Sequence, residues 1–325
     1  MKQYIKQSLL YLLRSLGVFE RIRIQNRSRL IVLCYHSIVS DDSPVNSRTN
    51  IAVSAGMFEK QLQLIQSRWN PVSLKEIEAA CLEKKPLPDY SVFVTFDDGF
   101  RNNFTLAAPT LKKHAVPAVV FVTSGLIGTN EMLWPQEVYE RVLGRKDGPL
   151  LLPQNLSKEF PHSPRAIVQA CKRLSQENRQ SYILQLRGKT ELDISSTWQN
   201  ELYEFMNWDE VRQLKNFGID VGAHTVSHPI LTSLQPADLE WQLHECKIKI
   251  EQELGMECFS VAYPNGTPLD YSDAVIDAAK KIGYKLGFTL SEKRNKEFLD
   301  MMKIDRICVT RDLSIQEFEL RLFQN

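Results

Sequence analysis

The chain has 325 residues, 43% of them hydrophobic and 24% charged, with a formal net charge of +1. That length suits one α/β barrel. The interspersed, nearly balanced charges exclude a general nucleic-acid binder, which would show a basic stripe or aromatic–basic interleaving. Six cysteines, at 34, 81, 171, 246, 258 and 308, include no Cys-x-x-Cys pair. They read as reduced, mostly buried small hydrophobes of a cytoplasmic protein.

Residues 1–26 read as a basic amphipathic N-terminal helix. Lys2, Lys6, Arg14, Arg21 and Arg23 stand against one acid, Glu20, while Ile5, Leu9, Leu12, Leu13 and Leu16 fall at helical spacing. The segment is too short and too charged for a spanning helix or a usual signal peptide. Two placements stay open: a peripheral contact of residues 1–24 with an anionic inner membrane face, or a cap on the barrel.

From residue 27 to 325 the pattern is that of one barrel. Arg29–Tyr35 reads as the first strand, with His36 at its end, and the polar residues 41–52 as a loop at the mouth. Met57–Trp69 and Ser73–Glu83 read as helices. Ser91–Phe96 is an apolar run typical of a buried strand and ends in Asp97-Asp98-Gly99. A helix at Ala107–His114 and a β-branched strand at Ala118–Thr123 follow. Residues from about 131 to 205 show no comparable strand. Their helical patterns at Gln136–Leu143 and Arg165–Leu186, with Pro149, Pro153, Pro161 and Pro164 between, predict a helical insertion. Asn207–Phe217 is a helix with Asn207 as N-cap, Glu210 at its third position and Gly218 as stop. A short strand at Ile219–Val221 leads into Gly222-Ala223-His224-Thr225-Val226-Ser227-His228. The remainder alternates: helix Pro236–Leu254, strand Cys258–Tyr263, helix Ser272–Ile282, strand Lys285–Thr289, strand Ile304–Val309.

Seven strands alternating with helices call for a parallel sheet. In such barrels function sits at the carboxyl ends of the strands. His36, Asp97, Asp98, His224, His228 and the Pro264 loop all fall there. Two adjacent carboxylates repel each other and need a cation or a shared proton. Histidines four apart share one face of a helical turn. Two imidazoles and one carboxylate make a three-point cradle for a borderline divalent cation, leaving positions open for water and substrate.

Thr95-Phe96-Asp97-Asp98-Gly99 and His224-Thr225-Val226-Ser227-His228 resemble the first two motifs of the polysaccharide deacetylase family, the NodB-homology domain. Ala262-Tyr263-Pro264-Asn265-Gly266 partly matches a third, Arg-x-Pro-aromatic-Gly. The resemblance implies a distorted (β/α)7 barrel and a metal-dependent N-deacetylase acting on an N-acetylated sugar of a glycan; a lipid-linked precursor of surface polysaccharide would suit the basic N-terminus. By motif position Asp97 resembles the general base, and Asp98, His224 and His228 the ligands of a divalent metal, zinc or another transition metal. The family's oxyanion donor is the backbone N–H at the place of Asn265, with Tyr263, Pro264 and Trp208 (and Trp134) as pocket candidates. The family's late Leu-x-His motif is absent, since no histidine follows residue 244. His36 resembles the acid of the exopolysaccharide-processing branch, which carries a similar Tyr-His at its first strand. Ala262 stands where the family has the arginine that pairs with the base. Arg306 is the candidate substitute, a surface ion pair being its other reading. Two rival functions remain: a non-catalytic carbohydrate-binding barrel, and a non-haem iron enzyme, against which the β/α alternation argues.

Overall fold

A computed structural model describes residues 12–43, 51–144, 163–190, 192, 201–292, 295, 300–309 and 313–323, and absences and counts refer to these residues. The elements run α1 (Val18–Gln25), β1 (Ile31–Tyr35), β2 (Ser37–Val39), β3 (Ala52–Ser54), α2 (Ala55–Arg68), β4 (Asn70–Pro71), α3 (Leu74–Glu83) and β5 (Ser91–Phe96). A π-turn over Asn103–Ala107 enters α4 (Ala108–Lys113), followed by β6 (Ala118–Val122), α5 (Trp134–Leu143), α6 (Pro164–Lys172), α7 (Gln176–Arg187), α8 (Trp208–Gln213) and β7 (Ile219–Ala223). The chain closes with α9 (Pro236–Leu254), β8 (Ser260–Ala262), α10 (Asp273–Ile282), β9 (Leu286–Phe288), β10 (Ile307–Cys308) and α11 (Ile315–Phe323).

The main sheet has the order β10-β1-β5-β6-β7-β8-β9, with β4 added on β5, and every pairing in it is parallel. These seven strands are the seven expected from sequence. The sheet curls until its two edges approach. There a single parallel bridge joins Phe288 to Ile304, just ahead of β10. The result is the distorted (β/α) barrel, with a narrow seam between β9 and β10. The expected 41–52 loop differs in part. Residues 52–54 are a strand pairing with 37–39 in a separate two-stranded sheet, and residues 44–50 of the expected loop lie outside the described part.

Strand alternation divides the core. Ile31, Leu33, Tyr35, Val92, Val94 and Phe96 face the helices. Val32, Phe93, Val119, Phe121, Ala262 and Phe288 fill the barrel interior. With a period of two, the interior side continues upward to Cys34 and His36 on β1, Thr95 and Asp97 on β5, and His224 beyond β7. On β7 the interior position is Gly222, where a Cβ would meet the Phe121 ring at 2.5 Å. Only glycine leaves that ring its place.

Of the basic N-terminal segment, residues 1–11 lie outside the described part. The rest is helical at 12–15 and in α1, and it docks on the barrel. Phe19 packs edge-on to Phe323 with centroids 5.3 Å apart. Arg14 pairs with Glu319 at 3.3 Å, and Arg68 bonds both Glu20 and Glu319. No helix is long and apolar enough to cross a membrane.

The described part of the insertion is helical, as the pattern predicts. Glu137 on α5 fastens it, accepting from Arg141 Nε at 2.8 Å and from Arg187 Nε and Nη2 at 2.7 and 2.8 Å. Burial alone would raise this carboxyl, but the two guanidiniums override it and hold it below its ordinary value. A carboxyl lowered on folding adds stability above its unfolded pKa of about 4.3, and that contribution is lost as pH falls through the folded value. Glu137→Gln should therefore cost about 1–2 kcal/mol at neutral pH, discounted because Arg187 is half exposed. Urea midpoints should show the gap, and it should shrink in acid. A gap that does not change with pH would count against this account.

Candidate active site at the mouth of the barrel

β5 carries Asp97 to the interior side of the mouth. Asp98, with φ +77°, and Gly99, with φ +87°, then turn the chain off the strand. That left-handed turn breaks the alternation. It lets two neighbouring carboxylates face the same cavity, which an extended strand would forbid. Asp98 Oδ1 lies 3.6 Å from His224 Nε2 and 3.8 Å from His228 Nε2. The three donor atoms all lie within 4.8 Å of one another, and all three residues are buried.

The histidines do not sit on a helical turn. Residues 224–230 form a loop with Thr225 at φ +67° and His228 at φ +56°. Its backbone groups are bound from three sides. Val226 N and Ser227 N both donate to Gln242 Oε1 at 3.0 Å, and Thr225 Oγ1 accepts from His228 N at 3.0 Å. Ser124 N and Gly125 N donate to the carbonyls of Thr225 and Val226. A Cβ on Gly125 would stand 2.6 Å from the Val226 carbonyl. Trp134 Nε1, from the insertion, donates to His228 O at 3.0 Å. This bonding replaces the helix as the device that holds the two rings together, 4.9 Å between centroids.

These residues fit a divalent cation. His224 Nδ1 meets the Ala262 carbonyl at 2.7 Å, so it carries the proton and Nε2 is left with its lone pair free to ligate a cation on the Asp98 side. Burial lowers both imidazoles, His228 well below its ordinary value, so both stand neutral as ligands require. Burial, and then the charge of Asp97, push the Asp98 carboxyl well up. Its Oδ1 is buried without a hydrogen-bond partner. A cation would relieve both conditions.

Asp97 has a different partner. Arg306 Nη1 and Nη2 donate to its two oxygens at 2.6 and 2.8 Å, and Arg306 Nε donates to Thr289 O at 3.0 Å. Burial works against an ionised carboxylate here, yet the guanidinium outweighs it and holds Asp97 well below the usual range. Arg306 is 0% exposed. The surface-pair reading is therefore excluded. Arg306 comes from just before β10 and lies over the Phe121 ring at 5.5 Å, inside the same interior layer as Ala262. A guanidinium reaches Asp97 from just before the last strand, where Ala262 of the third motif supplies none.

His36 lies beside Asp97, with one ring nitrogen, an Asp97 oxygen and Cys34 Sγ mutually within 4.8 Å. Its carbonyl accepts from Asn103 Nδ2 at 2.6 Å. Burial lowers the ring to about 4, against the opposing pull of Asp97. Asn265 follows buried Pro264 with φ +60°, and its N–H has no acceptor among the described residues.

Two pocket candidates are corrected. Tyr263 is fully buried, bonds Met302 O at 3.2 Å and stacks on Tyr271, so it is core. Trp208 packs on the helix-side core under the Lys249 ammonium at 5.4 Å. Trp134 is the tryptophan that reaches the histidine loop. Gln242, Asn103 and Cys34 escape a motif reading, because each acts on a backbone or side chain distant in sequence.

Fold and mouth together define a parallel β/α barrel with a buried, ion-paired carboxylate beside three donors that could hold a metal ion. The sequence profile of the polysaccharide deacetylases matches residues 84–287, more than half the chain, and the chain belongs to the polysaccharide deacetylase family, whose members hydrolyse amide bonds. The homologue YxkH of Bacillus subtilis is 20% identical over 298 residues, covering 91% of this chain and 77% of that one. The poly-β-1,6-N-acetyl-D-glucosamine N-deacetylase of Escherichia coli is 29% identical over 89 residues, 27% of this chain and 13% of that enzyme. The Streptococcus pyogenes deacetylase PplD in complex with acetate shares the fold at TM-score 0.63 and 19% identity, over 92% of this chain and 100% of that one.

Proposed function

We propose that the chain is a metal-dependent N-deacetylase of the exopolysaccharide-processing type, releasing acetate from an N-acetylated sugar of a polysaccharide or of a lipid-linked precursor. The observation that carries this reading is the convergence of Asp98, His224 and His228 within 4.8 Å, beside a carboxylate that Arg306 keeps ionised. Six free cysteines favour a reducing, cytoplasmic setting.

Asp98, His224 and His228 would hold the cation. Such an ion polarises a carbonyl and lowers the pKa of bound water from about 15.7 to near 7 in a favourable zinc site. Asp97 accepts the proton of the attacking water; its pairing with Arg306 keeps it unprotonated at working pH. By motif position the Asn265 N–H would donate to the oxygen that gains charge as the carbonyl becomes tetrahedral. His36 passes a proton to the departing amine. Burial keeps it neutral beforehand, so the proton it hands on is the one Asp97 took from water, passed across to the adjacent ring.

The test is acetate release from a panel of N-acetylhexosamine glycans and lipid-linked sugars, with and without chelator. Release abolished by chelator and restored by one equivalent of zinc is expected. Undiminished release after verified metal removal would overturn the metal assignment. His228→Ala should lose both metal and turnover; retention of full metal content would remove His228 from the ligand set.

A further inference from the structure

Cys34 has no part in the reaction above, yet it stands at its centre. Its Sγ donates to Asp97 Oδ2 at 3.4 Å. With His36 it forms a second group of three donors, one sulfur, one ring nitrogen and one carboxylate oxygen, within 4.8 Å of one another. His36 Nδ1 is buried and has no hydrogen-bond partner. The three positions share the interior side of β1 and β5, so alternation brings them together without any loop.

We propose that Cys34, His36 and Asp97 form a second, inhibitory site for a soft divalent cation such as zinc or cadmium. The donor set decides the class of ion. A thiolate with an imidazole suits zinc and softer metals and does not suit magnesium or calcium. Binding releases the thiol proton to solvent and replaces the sulfur–carboxylate hydrogen bond with two metal contacts. The ion enters past His36, the only one of the three that is not fully buried.

The second site is the weaker one. Arg306 already holds Asp97, and a cation at Asp98, His224 and His228 adds further positive charge nearby. Like charges at this range repel strongly where water is scarce. The second site therefore fills only after the first. Once filled, it occupies the base and the acid together, so turnover stops while the first cation stays in place. That effect on rate rests on the deacetylase reading; the binding of the second ion does not.

The experiment uses the full chain freed of metal and titrated with zinc. One equivalent should activate, and excess zinc should then lower the rate at least tenfold. Cys34→Ser should keep the one-equivalent rate and need at least tenfold more zinc for the same inhibition. In parallel, cadmium should bind in two equivalents, with a thiolate-to-metal ultraviolet band appearing only during the second. Cys34→Ser and Cys34→Ala should bind one equivalent and show no band. Inhibition of Cys34→Ser at the wild-type zinc concentration, or a band that survives both substitutions, overturns the proposal. Absence of any activating phase would refute the deacetylase reading, while the cadmium band would still decide the second site.

Discussion

Asp97→Asn is expected to keep the bound metal and to lower kcat by about 10²–10⁴-fold, the usual worth of a positioned general base. The amide cannot take a proton from water, while Asp98, His224 and His228 keep their donor atoms. The substitution also strips Arg306 of its counter-charge inside the barrel, so rate must be compared at equal folded fraction, by near-ultraviolet circular dichroism and metal analysis on the same sample. An Asp97→Asn protein that is folded, metal-loaded and fully active would remove Asp97 from the mechanism. A protein that loses its metal would instead place Asp97 among the ligands.

Arg306→Met should be the most destabilising single change near the site, by about 3–5 kcal/mol. It leaves Asp97 buried and unpaired, and it abandons the Thr289 carbonyl and the Thr95 hydroxyl that Arg306 binds. With Asp97 released from the guanidinium, burial raises its carboxyl and the base protonates. The double variant Asp97→Asn, Arg306→Met should recover part of the lost stability and none of the turnover, because no unpaired charge then remains. Urea midpoints across the four proteins give the coupling energy. A coupling near zero would mean that the pair contributes nothing beyond its separate contacts.

Much of the site was legible because it follows strand ends. His36, Asp97 and the Pro264 loop lie where alternating β/α segments place function, and seven runs of apolar residues located those ends. The histidine pair was legible as a pair but not as a loop. Spacing of four fits a helix, and the contacts that bend it otherwise come from Gln242, Trp134 and Ser124, which no local pattern links to His224. Tyr263 looked like a pocket aromatic because it flanks a motif proline; alternation turns its ring the other way, onto Tyr271. Arg306 was legible only as a candidate. Whether it meets Asp97 depends on where the curled sheet closes, a property of all seven strands together. The left-handed turn at Asp98 left one trace in sequence, Gly99, which a tight turn of any kind would also leave.

The seam has a consequence for how the enzyme comes into being. The charge partner of Asp97 is made more than two hundred residues after it, on the last segment to join the sheet. A ribosome that has finished the motif residues has still not made a working centre. Until the tail emerges and zips alongside β1, the acid doublet has no guanidinium to steady it, and nascent or clipped chains ending before residue 306 should be inert even if their other strands have formed.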